Sequence, residues 1–196
     1  MNADQRPAGR AGQIRIVGIG GALEPRSNSL DALKHALDAC GRAGAAVQML
    51  DIRELDLPLY TWGLTPPPAA LQLNEAVAQA HGLLWSSPLY HGTVSGAFKN
   101  AMDWLELLGT HQPPYLTDKV VGLICTAGGT HGLQAINTME FIVRALRGLT
   151  LPLVVPIDNA SQVFDATGQI LKPAVAEQLD RLGRELVRTV ERLHRF

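Results

Sequence analysis

Cysteine, aromatic residues and excess charge are all scarce in this chain of 196 residues. Its two cysteines, Cys40 and Cys125, stand far apart and outside any CxxC pair, which predicts two reduced, buried thiols. Phe, Trp and Tyr make up 5% of the residues and the formal net charge is −1, so the sequence offers neither a base-stacking surface nor a strongly cationic face. The composition therefore predicts no nucleic-acid partner.

Long hydrophobic runs are missing as well. No apolar run reaches the roughly 18 residues that a membrane span needs, so no membrane partner is predicted. Residues 1–13, MNADQRPAGRAGQ, lack the hydrophobic segment of a signal peptide. We therefore expect residues 1–13 to be a disordered tail, residues 14–196 to form a single domain, and the protein to be cytoplasmic. With 46% apolar residues, that domain can bury its own core without a disulfide or a structural metal.

Strand patterns alternate with helical patterns along the rest of the chain. The apolar runs typical of buried parallel strands are residues 14–19, 46–52, 82–87, 119–127 and 150–157. Apolar residues at helical spacing lie between these runs, and a long closing helix is predicted over residues 175–193. This alternation predicts an α/β fold: a three-layer sandwich around a five-stranded parallel sheet, with 2-1-3-4-5 as the favoured strand order. Residues 53–68 are predicted to be a long loop that serves a site or an interface.

Small and hydroxylated residues follow the first predicted strand, where the chain enters a helix. Gly20 and Gly21 end the strand, and three hydroxyl- or amide-bearing residues stand where the helix begins. Such a junction presents backbone N–H groups and a helix N-terminus to a phosphate. Ordinary N-capping by Ser27 or Asn28 is the alternative, although it accounts for one such residue rather than a run. The predicted phosphate-binding residues are Gly21, Ser27, Asn28 and Ser29.

Two further loops follow the third and fourth predicted strands. Residues 87–104, SPLYHGTVSGAFKNAMDW, supply backbone donors and a Tyr, whereas residues 126–132, TAGGTHG, contain glycines that let backbone approach a ring. Because parallel strands end at one sheet edge, the three loops predict one cleft for a flat, phosphorylated ligand, which indicates a flavin nucleotide. Ordinary turns are the alternative for both loops. The candidate ring-binding residues are Pro88, Leu89, Tyr90, His91, Gly92, Thr93, Ala127, Gly128, Gly129 and Thr130.

These loops together resemble the NAD(P)H-dependent FMN reductase family, the flavodoxin-like group of small flavin, quinone, azo-dye and chromate reductases. The similarity covers about residues 14–150. Its most specific part is SPLYHGTVSGAFKNAMDW, which is similar to the family's Pro, Tyr and small residues followed by a G-x-x-K-N-x-x-D-W helix. The chain departs from the family at residues 21–23, because family members often carry a hydroxyl and an Arg early in the first loop.

The resemblance implies a flavodoxin-like fold and hydride transfer from NADPH or NADH to FMN, with electrons leaving as reduced FMN or passing to an acceptor such as a quinone. A single phosphate loop favours FMN over FAD. This chemistry belongs to the cofactors, so neither a catalytic side chain nor a metal is predicted. Two alternatives remain open. One is a flavodoxin-like electron carrier without a nicotinamide site, although such carriers are usually strongly acidic; the other is a phosphate-binding enzyme of the same fold without flavin.

Surplus apolar residues on two helices predict a homo-oligomer, a homodimer or homotetramer. Trp104 and Leu107 lie beyond the core-facing stripe of the helix over residues 95–108, and Phe141 is similarly extra on the helix after it. Apolar surplus of this kind indicates a surface that a partner covers. The alternative is that these residues lie beneath the loop over residues 53–68.

Overall fold

A computed structural model describes residues 13–194, so all but the last residue of the predicted tail over residues 1–13 lies outside the described residues. The strands are β1 (Arg15–Gly20), β2 (Ala46–Asp51), β3 (Gly82–Tyr90), β4 (Thr93–Val94), β5 (Val120–Thr126), β6 (Leu149–Thr150) and β7 (Val155–Ile157). The α-helices are α1 (Asn28–Arg42), α2 (Ile52–Leu55), α3 (Pro68–Gln79), α4 (Gly96–Trp104), α5 (Gly132–Ala145) and α6 (Pro173–His194). Short 3-10 helices cover Leu105–Leu108 and Ala160–Gln162.

The strands form one sheet whose main path is β2-β1-β3-β5-β6. Every pairing is parallel except that of β4, which returns antiparallel along the end of β3. The predicted α/β class is confirmed, whereas the predicted count of five strands is wrong. Because β4 is an additional strand and the last predicted strand is split into β6 and β7, the order in chain numbering reads 2-1-3-5-6 instead of 2-1-3-4-5.

Local backbone chemistry explains both differences. His91 and Gly92 have φ angles of 49° and 83°, which is the pair of left-handed residues that a tight hairpin turn requires, and this turn creates β4. The run over residues 150–157 contains Pro152, which has no N–H for a ladder. After Leu151 donates its N–H to Val121, the chain therefore leaves the sheet and pairs with β5 again from Val155.

Helices cover both faces of the sheet. Successive residues of β1 point to opposite faces, so that Ile16 packs with the apolar cluster of α1 and α6, and Val17 with that of α3, α4 and α5. α1 carries its apolar residues on one side and buries Leu33 and Leu37. These layers leave the carboxyl ends of β1, β3 and β5 open at one edge of the molecule, between the two helical layers.

The loop between α2 and α3 is fastened to α4. The Trp104 indole N–H donates to the Pro58 carbonyl at 2.8 Å, and the Tyr60 ring stands edge-on to Trp104 with 5.3 Å between ring centroids. Asn100 accepts the Tyr60 N–H at 2.8 Å. Trp104 is thus fully buried beneath the loop, so the expectation that it belongs to a partner surface is wrong and the alternative holds for this residue. Leu107 is half-buried against the core.

Both cysteines are buried and unpaired, as predicted. Burial raises the pKa of each thiol to about 12, and for Cys125 the Asp158 carboxylate contributes a smaller part of the increase. Across residues 13–194, no helix combines the length and apolar character that crossing a bilayer requires.

Candidate cofactor-binding site

A cleft of about 240 Å³ opens at the edge of the sheet where β1, β3 and β5 end. The β1–α1 loop, the end of β3, the end of β5 and the 3-10 helix after β7 each contribute to its walls. Its lining residues are Ala22, Glu24, Arg26, Ser27, Asn28, Ser29, Pro88, Leu89, Tyr90, Thr126, Ala127, Gly128, Ala160 and Ser161. The structure therefore brings the three predicted loops together, and it adds a fourth segment that sequence reasoning missed.

The phosphate end of the cleft is the N-terminus of α1. Ser27 is the N-cap, and its Oγ accepts the Leu30 N–H at 3.3 Å, which leaves its own O–H proton to donate into the cleft. The N–H groups of Asn28 and Ser29 begin the helix, and within residues 13–194 they have no hydrogen-bond acceptor. These donors and the positive end of the helix together favour an anion.

The side chain of Ser29 forms a hydrogen bond in the interior, whereas its backbone lines the cleft. Its Oγ lies 2.6 Å from the Thr126 Oγ1, and its carbonyl accepts the Ser86 hydroxyl at 2.8 Å. The side chain is 1% exposed, so its hydroxyl ties α1 to β5 and does not face the cleft. The position lines the cleft as predicted, but only its N–H remains for a ligand.

Two charged residues that were absent from the predicted set also line the cleft. The Arg26 guanidinium donates to the Asp165 carbonyl at 3.1 Å. Glu24 accepts the Tyr90 hydroxyl at 2.7 Å, which links the β1–α1 loop to the end of β3 across the cleft. Partial burial and this carboxylate raise the pKa of Tyr90 to about 12, so the phenol keeps its proton.

The predicted residues that follow Tyr90 lie beside the cleft rather than in its walls. His91 and Gly92 form the hairpin turn, and a Cβ added to Gly92 would lie 3.1 Å from the Gln134 Oε1. The Thr93 and Thr138 hydroxyl oxygens are 3.1 Å apart, which connects the hairpin to α5. Gly21 is likewise not among the lining residues, and its backbone is in the left-handed region at φ 105°.

The loop over residues 127–131, here the glycine loop, leaves its backbone open. A Cβ added to Gly128 or Gly129 would meet no atom within 4 Å, and neither residue is in the left-handed region. Packing within the described chain therefore gives no reason for glycine at these positions. Over residues 13–194, the N–H groups of Gly128, Gly129 and Thr130 also find no acceptor. Of these three residues only Gly128 lines the cleft, and Gly129 and Thr130 follow it in the loop.

These donors fit FMN. An anionic phosphate matches the Ser27 hydroxyl, the first N–H groups of α1 and the Arg26 charge. The open backbone of Gly128 leaves room for a flat ring at the other end, with Tyr90 as an aromatic wall. The cleft offers one such phosphate cradle, which suits a mononucleotide.

Comparisons with known proteins agree with this geometry. The sequence profile of a family described as NADPH-dependent FMN reductase matches residues 14–162. The chain is 28% identical over 188 residues to the NADPH-dependent FMN reductase ArsH of Rhizobium meliloti (strain 1021), covering 95% of this chain and 76% of that protein. It is 29% identical over 187 residues to the NAD(P)H-dependent FMN reductase PA1204 of Pseudomonas aeruginosa, covering 92% and 97%.

Solved structures show the same fold. FerB, a flavoenzyme NAD(P)H:(acceptor) oxidoreductase from Paracoccus denitrificans, superposes with a TM-score of 0.75 at 18% identity, covering 91% of this chain and 98% of that one. A flavodoxin from the domain Archaea superposes with a TM-score of 0.64 at 12% identity, covering 91% of this chain and 99% of the flavodoxin. The fold is therefore flavodoxin-like. Since the profile spans more than half of the sequence, the chain belongs to the NADPH-dependent FMN reductase family.

Proposed function

We propose that residues 14–196 form a single FMN-binding domain and that the cleft between α1 and the glycine loop is where NADPH or NADH reduces the flavin. The observation that carries this proposal is the convergence of three loops on one cleft, with anion donors at one end and open glycine backbone at the other. The bound flavin supplies the hydride-accepting chemistry. The residues of the chain supply binding, orientation and electrostatics.

At the phosphate end, the chain holds charge by hydrogen bonding. The first N–H groups of α1 and the Ser27 hydroxyl donate to phosphate oxygens, while Arg26 adds a positive charge nearby. α1 buries its apolar side against the sheet, so these donors sit on a rigid element and lose little freedom on binding.

At the ring end, the glycine loop and α5 stabilise negative charge. The free N–H groups of Gly128, Gly129 and Thr130 are placed to donate to the polar edge of the ring. The N-terminus of α5 begins at Gly132, and its positive end favours the more negative, reduced flavin. We assign ring binding to the loops over residues 88–93 and 127–130, with no side chain as acid or base.

Small electron acceptors complete the proposed reaction, and a quinone is the class we favour. The net charge does not support the alternative of an electron carrier, because such carriers are usually strongly acidic and this chain has 17 basic and 18 acidic residues. Steady-state oxidation of NADPH and NADH should be measured with FMN, a quinone and an azo dye as acceptors. An FMN-loaded protein that oxidises neither nicotinamide would leave a carrier function instead.

We expect the protein to act in the cytoplasm as a homodimer or homotetramer. Phe141 and Leu133 on α5 are 70% and 54% exposed, and the Arg144 guanidinium lies 5.8 Å from the centre of the Phe141 ring. An exposed aromatic beside an arginine is the composition that protein interfaces favour. Light scattering at micromolar concentration should give at least twice the 21.1 kDa chain mass, and a monomer mass would refute the assembly.

The two serines at the start of α1 should respond differently to replacement by alanine. Ser27→Ala removes one donor to a charged phosphate, so we expect about tenfold weaker FMN binding, together with about 1 kcal/mol of lost capping. Ser29→Ala breaks the buried bond to Thr126 and should lower stability with little change in FMN affinity. Fluorescence titration of the apo-proteins, beside thermal unfolding, separates the two effects. Unchanged affinity in Ser27→Ala would show that Ser27 is a cap only.

A further inference from the structure

The glycine loop takes its shape from the segment that follows β7. The Ala127 N–H donates to the Ile157 carbonyl at 2.8 Å, and the Ala127 carbonyl accepts the Ala160 N–H at 2.9 Å. The Gly129 carbonyl accepts the Asn159 N–H at 2.9 Å. Residues 157–160 therefore form a template on which the loop lies, while the donors of Gly128 and Thr130 stay free.

Asp158 closes this template with its side chain. Its Oδ1 accepts the Gly132 N–H at 3.0 Å, at the first residue of α5. The N-cap residue His131 makes no capping bond, so the carboxylate from the neighbouring segment takes that role. The fit is close, because a Cβ added to Gly132 would lie 3.0 Å from the same oxygen and 3.2 Å from the Pro156 Cβ.

A carboxylate at this place has two physical effects. It fixes where the glycine loop enters α5, and its negative charge offsets the positive end of that helix. The Asp158 charge also acts on Cys125 at the end of β5, where it contributes to the raised pKa of the thiol. The same helix end is the feature that favours negative charge on a reduced flavin, so the carboxylate works against reduction.

We propose that Asp158 is a positioning residue that holds the glycine loop against the flavin and lowers the reduction potential of the flavin through its charge. The inference rests on the proposed function. It deepens that function by naming a residue that sets how readily the bound FMN accepts electrons. The two effects can be separated, because an asparagine side-chain oxygen can accept the Gly132 N–H without carrying a charge.

The test compares Asp158→Asn with wild type by FMN fluorescence titration, by redox titration against a reference dye, and by thermal unfolding of the apo-proteins. We expect the Kd for oxidised FMN to stay within about threefold. Reduced FMN should bind about fivefold more tightly relative to oxidised FMN, which raises the potential by roughly 20 mV for a two-electron couple. Asp158→Ala leaves the Gly132 N–H without its acceptor and should weaken FMN binding about tenfold.

Glu191→Gln is the matched charge control. It removes one exposed carboxylate from the last turn of α6, which ends beside His81 at the opposite edge of the sheet, and should leave the potential unchanged. A wild-type potential in Asp158→Asn, with normal FMN binding, would make Asp158 a helix cap only and overturn the inference. Failure of the wild-type protein to bind FMN would instead overturn the proposed function.

Discussion

Replacing Gly128 with Leu should weaken FMN binding at least a hundredfold while the apo-protein folds normally. The backbone at Gly128 lines the cleft, and an added Cβ would meet no protein atom within 4 Å, so the first atom of the new side chain has open space in the apo-protein. In the complex it would occupy space proposed for the ring. Loss of ring contact corresponds to about 3 kcal/mol or more of binding free energy. Fluorescence titration of the apo-protein and its thermal unfolding measure the two quantities.

Gly41→Leu provides the matched control. Gly41 lies in the last turn of α1, away from the cleft, and an added Cβ there would approach nothing closer than the Val47 Cγ2 at 3.9 Å. This variant should keep wild-type FMN affinity. Normal binding by Gly128→Leu would mean that the flavin does not run along the glycine loop.

Gly183→Leu should cost about 3 kcal/mol of folding free energy or more. Gly183 lies where α6 crosses α1, and a Cβ there would be 2.5 Å from the Ala36 carbonyl oxygen and 2.7 Å from the Ala39 Cβ. These atoms belong to the backbone and first side-chain carbon of a helix, so they cannot move aside without separating the two helices. Leucine has a better helix propensity than glycine by about 1 kcal/mol, so any loss must come from packing. Urea denaturation gives the free energy.

Arg188→Leu introduces the same residue on the exposed side of the same helix. It should change the free energy of unfolding by less than about 0.5 kcal/mol, the usual range for surface positions. A Gly183→Leu variant as stable as wild type would contradict the close contact between α1 and α6.

Local sequence patterns predicted the layers and the cleft. The layers follow from the periodicity of the apolar residues, and the cleft follows from the rule that parallel strands end at the same edge of a sheet. The apolar run over residues 14–19 and the helical spacing over residues 30–40 set which segments are strands and which are helices. The ends of parallel strands meet at one edge, so the loops after them had to be neighbours.

Features that depend on long-range pairing were not predictable in this way. Ala160 and Ser161 line the cleft because β7 pairs with β5 and ends at the same edge of the sheet. The predicted strand order placed the run over residues 150–157 beside the run over residues 119–127, but the residues after it were not predicted to belong to the site. The Ser29 hydroxyl points inward because Thr126 lies opposite it, a contact between residues 97 positions apart, so only the Ser29 N–H is left for the predicted phosphate contact. The helical spacing of Trp104 predicted an exposed position, but the loop over residues 56–67 covers this side chain in the fold.

Anaerobic titration of the FMN-loaded protein with NADPH tests the central claim most directly. The flavin that the purified protein carries should first be released from one sample by denaturation and identified by chromatography. The remaining protein should then be saturated with FMN and titrated while the oxidised-flavin absorbance is followed. We predict that about one equivalent of NADPH or NADH removes the oxidised-flavin absorbance and that the released cofactor is FMN. Release of FAD, or no flavin binding even in excess FMN, would contradict the account.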